Sequence, residues 1–189
     1  MQSTVLLKFP PMTNATPAQQ ARPLGWQDDA ILHFSQLVQK LVALPGLRIE
    51  DRFAAITAAA CNVFEMDYGY ITLIRKQTIE VAASSGLCLL PKTVQRTHLN
   101  NAFSQSLISD KLPLLLADTT RSAQDGMVDL TGNAAARFLG VPLLFDGTVY
   151  GTFELSGHAQ ARAFDANDLA ATYFLSAIIA APLALLGGY

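Results

Sequence analysis

The sequence has little charge and no excess of basic residues. Of its 189 residues, 13 are Lys or Arg and 15 are Asp or Glu, which gives a formal net charge of −2. A nucleic-acid-binding surface needs clustered basic side chains, so we expect no nucleic-acid partner. Charged residues make up only 15% of the chain, whereas hydrophobic residues make up 51%. A chain of this length and composition can bury a large core, which predicts a globular protein.

Cysteine and histidine are also scarce. Cys61 and Cys88 have no second Cys or His at metal-binding spacing, so neither a disulfide framework nor a metal site is predicted. Free cysteines are typical of a reducing compartment, and we expect a cytoplasmic protein. Haem would need an axial ligand, and His33, His98 and His158 are scattered singly, so no haem site is predicted. We therefore expect no cofactor.

The first 27 residues lack a regular hydrophobic pattern. Four prolines stand among Thr, Asn, Gln and Ala, which predicts a flexible arm over residues 1–27. The same arm could instead pack on a partner through its larger apolar residues Leu6, Leu7, Phe9 and Trp26. Its apolar run from Val5 to Phe9 is short and has no charged leader, so a signal peptide is not predicted.

Helical spacing begins after this arm. Apolar residues recur from Ile31 to Leu44 at intervals of three and four, and Pro45-Gly46 ends the pattern. We expect a signalling or dimer helix over residues 28–46 and a separate domain over residues 47–189. That domain opens with a second helix, which begins near Glu50 and carries an apolar stripe to Phe64.

The stretch from Phe138 to Gly157 is the strongest β signal. Two segments rich in Val, Leu, Phe and Tyr flank Asp146-Gly147, a dipeptide typical of tight hairpin turns. Shorter strands are predicted at Tyr70–Arg75 and Thr78–Ser84 and after Pro113, with a helix over Leu99–Asp110. Residues 118–132 have turn-forming composition and predict a long loop, a type of segment that is often functional or mobile.

A long apolar helix is predicted from Ala166 to Leu186. Asp165 and Asp168 form a variant of the capping box at its start, and no charge follows Asp168. The uncharged run is long enough to span a membrane. Its many alanines, Pro182 and the absence of basic residues beyond it favour a helix–helix dimer contact instead, so we expect no membrane partner.

The order of these elements resembles the GAF domain, a small-molecule-binding module of signalling proteins. The resemblance runs from about Arg48 to Leu186 and is carried by three segments and by the helix start AFDANDLAATYF. The segments are FAAITAAACNVFEMDYGYITLI, AFSQSLISDKLPLLLADTT and FLGVPLLFDGTVYGTFELSG. It implies an α+β fold, an antiparallel sheet with helices, including the N- and C-terminal ones, on one face. A loop-covered ligand pocket would occupy the other face.

Side-chain alternation along the predicted strands suggests which residues face that pocket. Glu154 would be costly against an apolar helix layer, so its face of the strand is assigned to the pocket side. The same face could instead be exposed to solvent or covered by the loop. With residues of the adjoining segments added, the predicted ligand-binding set is Tyr70, Thr72, His98, Asp118, Arg121, Tyr150, Thr152 and Glu154.

The chemistries known in the family find little support in these residues. Cyclic-nucleotide-binding members carry Asn-Lys where this chain has Ser156-Gly157. Bilin-binding members use a Cys followed by His, but Cys88 is followed by Leu89 and the segment around His98 has no cysteine. Cysteines are also absent from the regions where methionine-sulfoxide-reducing members carry them, so neither bilin attachment nor thiol redox catalysis is expected.

Two hypotheses remain. The first is a non-catalytic sensory or regulatory module, of the two-component or a similar type. It would be a homodimer that binds an unidentified small molecule and acts on an output kinase or regulator domain in the same or another chain. The second is a small cytosolic enzyme that uses Asp118, Arg121, Asp125 or Glu154 in a polar pocket. No nucleophile–base order, metal cluster or phosphate loop in the sequence supports the enzyme, so the sensory module is favoured.

Overall fold

A computed structural model of the chain describes residues 34–36, 38–40, 43, 45–75, 78–86, 96–98, 102–119, 135–158 and 162–187. Short helical pieces at 34–36 and 38–40 precede the domain. Three longer helices follow, α1 (Ile49–Phe64), α2 (Ala102–Asp110) and α3 (Ala166–Gly187). The strands are β1 (Tyr68–Arg75), β2 (Thr78–Gly86), β3 (Arg96–His98), β4 (Leu114–Leu116), β5 (Arg137–Phe145) and β6 (Thr148–Gly157).

The strands form one antiparallel sheet in the order β3-β2-β1-β6-β5-β4. Strands β1 and β6 are at its centre, so the sheet joins two hairpins that are distant in sequence. The α+β fold predicted from the sequence is confirmed. Strand β3 was not predicted, because its three residues follow Pro91 in a stretch without alternating hydrophobicity.

The hairpin β5–β6 turns at the predicted dipeptide. Asp146 has φ 49° and Gly147 has φ 70°, so both central residues adopt the left-handed conformation. A turn of this kind matches the twist of the two strands, and Asp and Gly are among the residues that tolerate it best. The predicted hairpin is therefore confirmed, with strands of 9 and 10 residues.

One face of the sheet packs against α1 and α3. Apolar side chains of the four longer strands meet those of both helices in a single core. Phe34 and Val38 of the N-terminal helical pieces are buried in the same core. Central members from the strands and from α3 are Ile71, Val141, Phe153, Leu175 and Ile179. The N- and C-terminal helices thus share this face, which we call the helix side.

The opposite face carries α2. The ring of Phe103 stacks on that of Phe138 in β5, with centroids 4.2 Å apart. Leu107 joins the same buried cluster. Gly140 permits this close approach, because a Cβ there would lie 2.6 Å from Leu107 Cδ1. Over β5 and β6 this face is therefore buried under α2 rather than exposed to solvent.

Two irregularities interrupt the alternation of side chains. The register of β1 against β2 shifts between Ile71 and Thr72, which leaves Ala82 as an extra residue in β2. The register of β5 against β6 shifts between Leu143 and Leu144, which leaves Tyr150 as an extra residue in β6. An extra residue reverses the facing of every residue beyond it relative to strict alternation.

Helix α3 begins with the predicted capping arrangement. Asp165 Oδ1 accepts hydrogen bonds from the backbone N–H groups of Asn167 (2.8 Å) and Asp168 (3.0 Å). In return, Asp168 Oδ2 accepts one from Asp165 N (2.8 Å). Arg162 donates to both oxygens of Asp168 at 2.6 Å, so the buried carboxylate is paired as well. Reciprocal capping fixes where the helix starts.

Within the described residues, α3 is the one helix long and apolar enough to cross a membrane by length and composition. Half of that stretch is buried inside the protein, chiefly against the sheet. Its outward side includes Tyr173 and Leu185, which are 51% and 75% exposed. The helix is thus a core element of the domain with an apolar outer side.

Candidate functional site

A buried polar cluster lies on the α2 side of the sheet, around the carboxyl group of Glu154. Thr152 and Glu154 are in β6, Thr72 is in the neighbouring β1, and Ser104 reaches down from α2. All four residues have no solvent exposure. Polar groups buried at this density are hydrogen-bonded to one another, to ordered water or to a ligand.

The hydrogen bonds in this cluster converge on one carboxyl oxygen. Glu154 Oε1 accepts from the hydroxyls of Thr152 and Ser104, both at 2.6 Å. Thr72 Oγ1 lies 2.6 Å from Thr152 Oγ1 and accepts from the Thr152 backbone N–H at 2.9 Å. Because the hydroxyl of Thr152 uses its one hydrogen to donate to Glu154, Thr72 is the donor in the hydrogen bond between the two threonine hydroxyls. The chain of donors therefore runs from β1 through Thr152 to the carboxyl group.

Aromatic and hydroxyl side chains extend the cluster along the same face. Tyr70 is the cross-strand partner of Glu154, and its ring lies 5.7 Å from that of Tyr68. Ser156 is the cross-strand partner of Tyr68, and both are buried. The Ser156 hydroxyl has no hydrogen-bond partner within the part of the chain that the structure describes. This face thus offers hydroxyls and a carboxyl group among aromatic rings, a combination suited to a small polar ligand.

Four of the residues predicted for the site lie together. Tyr70, Thr72, Thr152 and Glu154 share the buried face, as the alternation of side chains predicted. The facing of these side chains was predicted correctly because the two extra residues, Ala82 of β2 and Tyr150 of β6, lie outside the segments concerned. Alternation is therefore unbroken along β6 from Thr152 to Glu154 and along β1 from Tyr70 to Thr72.

The placement of Tyr150 on this face was wrong. Tyr150 is the extra residue of the β6 irregularity, and it packs against the helix-side core and the ring of Phe145. Strict alternation of side chains therefore fails at this residue. The second irregularity acts in the same way in β2, where Ala82 is the extra residue and Glu80 pairs with Arg75.

The remaining predicted residues are scattered or outside the described part. His98 ends β3 at the edge of the sheet, opposite Thr78. Asp118 is exposed and follows β4. Arg121 and Asp125 fall in the predicted loop at residues 118–132, of which residues 120–132 lie outside the described residues.

Ser104 is the one member of the cluster that sequence reasoning missed. A serine in a short helix gives no signal until the face that the helix covers is known. The spacing of Phe103 and Leu107 marks an inward side for α2, and Ser104 is adjacent to it. Assigning α2 to the face opposite the terminal helices would have found it.

A buried arginine holds the helix side of the domain together near one end of the sheet. Arg137 donates from Nη2 to the carbonyl of Arg162 (3.0 Å) and from Nη1 to that of Phe64 (3.4 Å). Its guanidinium also lies 4.6 Å from the centre of the Phe164 ring. Burial, followed by the charge of Arg162, lowers the pKa of Arg137, although an arginine stays protonated. The residue joins the end of α1 to the start of α3.

An open cleft of about 270 Å³ lies elsewhere, between the end of α1 and the end of β2. It is lined by Ala58, Cys61, Asn62, Met66, Asp67, Ser85 and Gly86. Burial raises the pKa of the Cys61 thiol to about 12, so the neutral thiol is a poor nucleophile. No group of three or more metal-ligating side chains occurs among the residues that the structure describes.

Several solved structures share the fold. The GAF domain of an Acinetobacter phosphoenolpyruvate-protein phosphotransferase is 17% identical, with a TM-score of 0.69 over 87% of this chain and 100% of that one. The corresponding domain from Coxiella burnetii is 18% identical, with a TM-score of 0.69 over 85% and 96%. A free methionine-R-sulfoxide reductase from Neisseria meningitidis, solved with its substrate, is 15% identical, with a TM-score of 0.65 over 87% and 95%.

These identities show a common fold and do not transfer an activity. A search of curated proteins gave no match. A family model of the GAF domain matches residues 46–183, which is most of the chain and includes the whole sheet and nearly all of α3. The chain therefore belongs to the GAF domain family.

Proposed function

We propose that this protein is a non-catalytic sensory or regulatory GAF module that binds a small molecule on the α2 side of its sheet. The observation that carries the proposal is the buried cluster of Thr72, Ser104, Thr152 and Glu154. An apolar core would be at least as stable without a buried carboxyl group, so retaining one favours a binding role. Membership of the family supports a sensory role, with the protein working in the cytoplasm.

The residues that the structure describes offer few candidate catalytic groups in support of the enzyme alternative. Cys61 is a buried, neutral thiol, and Asp118 is exposed whereas Glu154 is fully buried. The Oε1 atom of Glu154 accepts hydrogen bonds from the hydroxyls of Thr152 and Ser104. A carboxyl group held this way is suited to accepting a hydrogen bond from a ligand. We therefore assign Glu154 a binding role and no catalytic one.

Signalling would proceed through the terminal helices of a homodimer. The outer side of α3 exposes Tyr173 and Leu185 and carries no charge after Asp168, which supports contact with another apolar helix. A ligand that binds one arrangement of the sheet and α2 more tightly than another would shift the balance between them. The output would be a kinase or regulator domain in the same chain or in another.

Native mass spectrometry of freshly purified protein tests the ligand proposal. We expect a retained small molecule on the wild-type protein and its loss from Glu154→Gln, with an unchanged circular dichroism spectrum. Glu80→Gln is the matched control, because Glu80 is a partly exposed carboxylate of the same sheet, ion-paired with Arg75 at 3.1 Å. Equal retention by wild type and Glu154→Gln would overturn the assignment of the site.

Sedimentation analysis tests the dimer. Tyr173→Lys places a charge on the outer side of α3 and should produce monomers. Asn167→Lys, at an exposed position in the first turn of the same helix, should leave the dimer intact. The dimer would be refuted if the wild-type protein is a monomer and remains a monomer when residues 1–27 are removed.

A further inference from the structure

Three titratable side chains form a chain of hydrogen bonds that begins beyond the Glu154 cluster and ends at Tyr68. Asp67 Oδ2 accepts from the backbone N–H of His158 at 2.6 Å and lies 3.1 Å from His158 Nδ1. His158 Nε2 lies 2.9 Å from the hydroxyl of Tyr68. A carboxylate only accepts, so Nδ1 carries the proton of the neutral ring and Nε2 accepts from Tyr68. The donors therefore point from Tyr68 towards the ring and from the ring towards Asp67.

This chain leads from solvent into the protein. The side chain of His158 is 48% exposed and that of Asp67 is 34% exposed, whereas Tyr68 is only 1% exposed. The Tyr68 ring lies 5.1 Å from the His158 ring and 5.7 Å from the ring of Tyr70. Because Tyr70 is the cross-strand partner of Glu154, the inner end of the chain reaches the proposed binding face.

We propose that Asp67, His158 and Tyr68 form a proton-controlled switch that regulates the proposed binding face. A proton taken from water at Nε2 makes both ring nitrogens donors. The Tyr68 oxygen then accepts from the ring, and the Tyr68 hydrogen must turn to a different acceptor. The direction of one buried hydroxyl on the binding face thus reverses, while no covalent bond changes. The effect on binding rests on the proposed function, but the reversal at Tyr68 does not.

The charged and titratable groups around His158 fit this assignment. Asp67, at the start of β1, is the carboxylate that contacts the ring within the described residues. Burial and the nearby charge of Asp67 raise the pKa of Cys61 in α1, so this thiol stays neutral. Arg137 of β5 pairs in register with Gly157, next to His158, but its guanidinium points to the carbonyls of α1 and of Arg162. It therefore leaves Asp67 as the ionic partner of the ring.

Nuclear magnetic resonance of ligand-free protein with labelled His and Tyr rings tests the switch from about pH 5 to about pH 8, where histidine titrates. We expect the Tyr68 ring-carbon signal next to the hydroxyl to shift with the same midpoint as His158. That shift should be lost in His158→Gln and kept in His33→Gln, which removes a histidine elsewhere in the chain. Asp67→Asn should lose the preference for the Nδ1–H tautomer, read from the two ring-nitrogen shifts at high pH.

A Tyr68 signal that stays constant while His158 titrates would overturn the proposal, as would an unchanged shift in His158→Gln. Because no ligand is present, this failure is separate from a failure of the binding proposal, which rests on retention of a molecule by the wild-type protein. Circular dichroism of each variant shows whether the fold is kept, and Asp67→Asn supplies a second reading if His158→Gln does not fold.

Discussion

Replacing Thr152 by Val tests the hydrogen-bond chain directly. Valine keeps the branched shape of threonine and favours strands, so the change removes a hydroxyl and little else. The hydroxyl of Thr152 donates to Glu154 Oε1 at 2.6 Å and lies 2.6 Å from Thr72 Oγ1. Removing one partner of a buried hydrogen bond costs about 1–3 kcal/mol, and two such bonds end at this hydroxyl.

We therefore expect Thr152→Val to lower the free energy of unfolding by about 2–4 kcal/mol. For a chain of this size, that loss corresponds to a fall in Tm of roughly 5–15 °C. Urea denaturation followed by circular dichroism gives the free energy, and scanning calorimetry gives the Tm. Thr148→Val is the matched control, because Thr148 is an exposed threonine at the start of the same strand, and it should change stability by less than about 0.5 kcal/mol. Equal stabilities of Thr152→Val and Thr148→Val would refute the reasoning.

Three further predictions concern other parts of the domain. Gly151→Ala should lose about 3 kcal/mol or more, measured by urea denaturation, because its Cβ would lie 1.8 Å from the Thr72 carbonyl oxygen. An unchanged midpoint would show that β1 and β6 can separate there. Iodoacetamide should alkylate Cys61 only after the protein unfolds, and peptide mass mapping would detect the alkylation. Because burial raises the pKa of Cys61 from about 9 to about 12, the thiol loses its proton in the unfolded chain first. The free energy of unfolding should therefore fall as the pH rises from about 9 towards 12. Rapid labelling of folded protein would contradict this. Asp165→Ala should lower the free energy of unfolding by about 1 kcal/mol, and Asp165→Ser should lower it much less, since serine also caps a helix. Equal losses of stability in calorimetry would exclude a capping role for Asp165.

The sequence was most informative where one local rule decides the structure. The Asp146-Gly147 turn and the start of α3 at Asp165 depend on neighbouring residues alone, and both predictions are confirmed. The grouping of Thr152 with Glu154 follows from alternation over two residues. These features need no knowledge of distant contacts.

The predictions for Tyr150 and Ser104 failed because contacts between residues far apart in the sequence determine where these side chains lie. Next to the irregularity at Tyr150, Gly151 lies close to both β1 and the end of α3, since a Cβ there would contact the Thr72 carbonyl and Leu183. No short sequence pattern predicts that β6 approaches β1 and α3 so closely at Gly151. Ser104 was missed because a helix of nine residues can pack on either face of a sheet until its layer is known. The ligand-binding role of the predicted residues remains a prediction.

The hydroxyl pair of Thr72 and Thr152 also has a consequence for folding kinetics. These residues are 80 positions apart, and they lie at the joint between β1–β2 and β5–β6. Each of those hairpins is local in sequence and can form quickly, whereas docking them must close a long loop. The polar cluster thus comes into existence only when the two halves of the sheet meet. A molecule that binds there would hold the halves together, and it should slow unfolding by acting on the last joint to form.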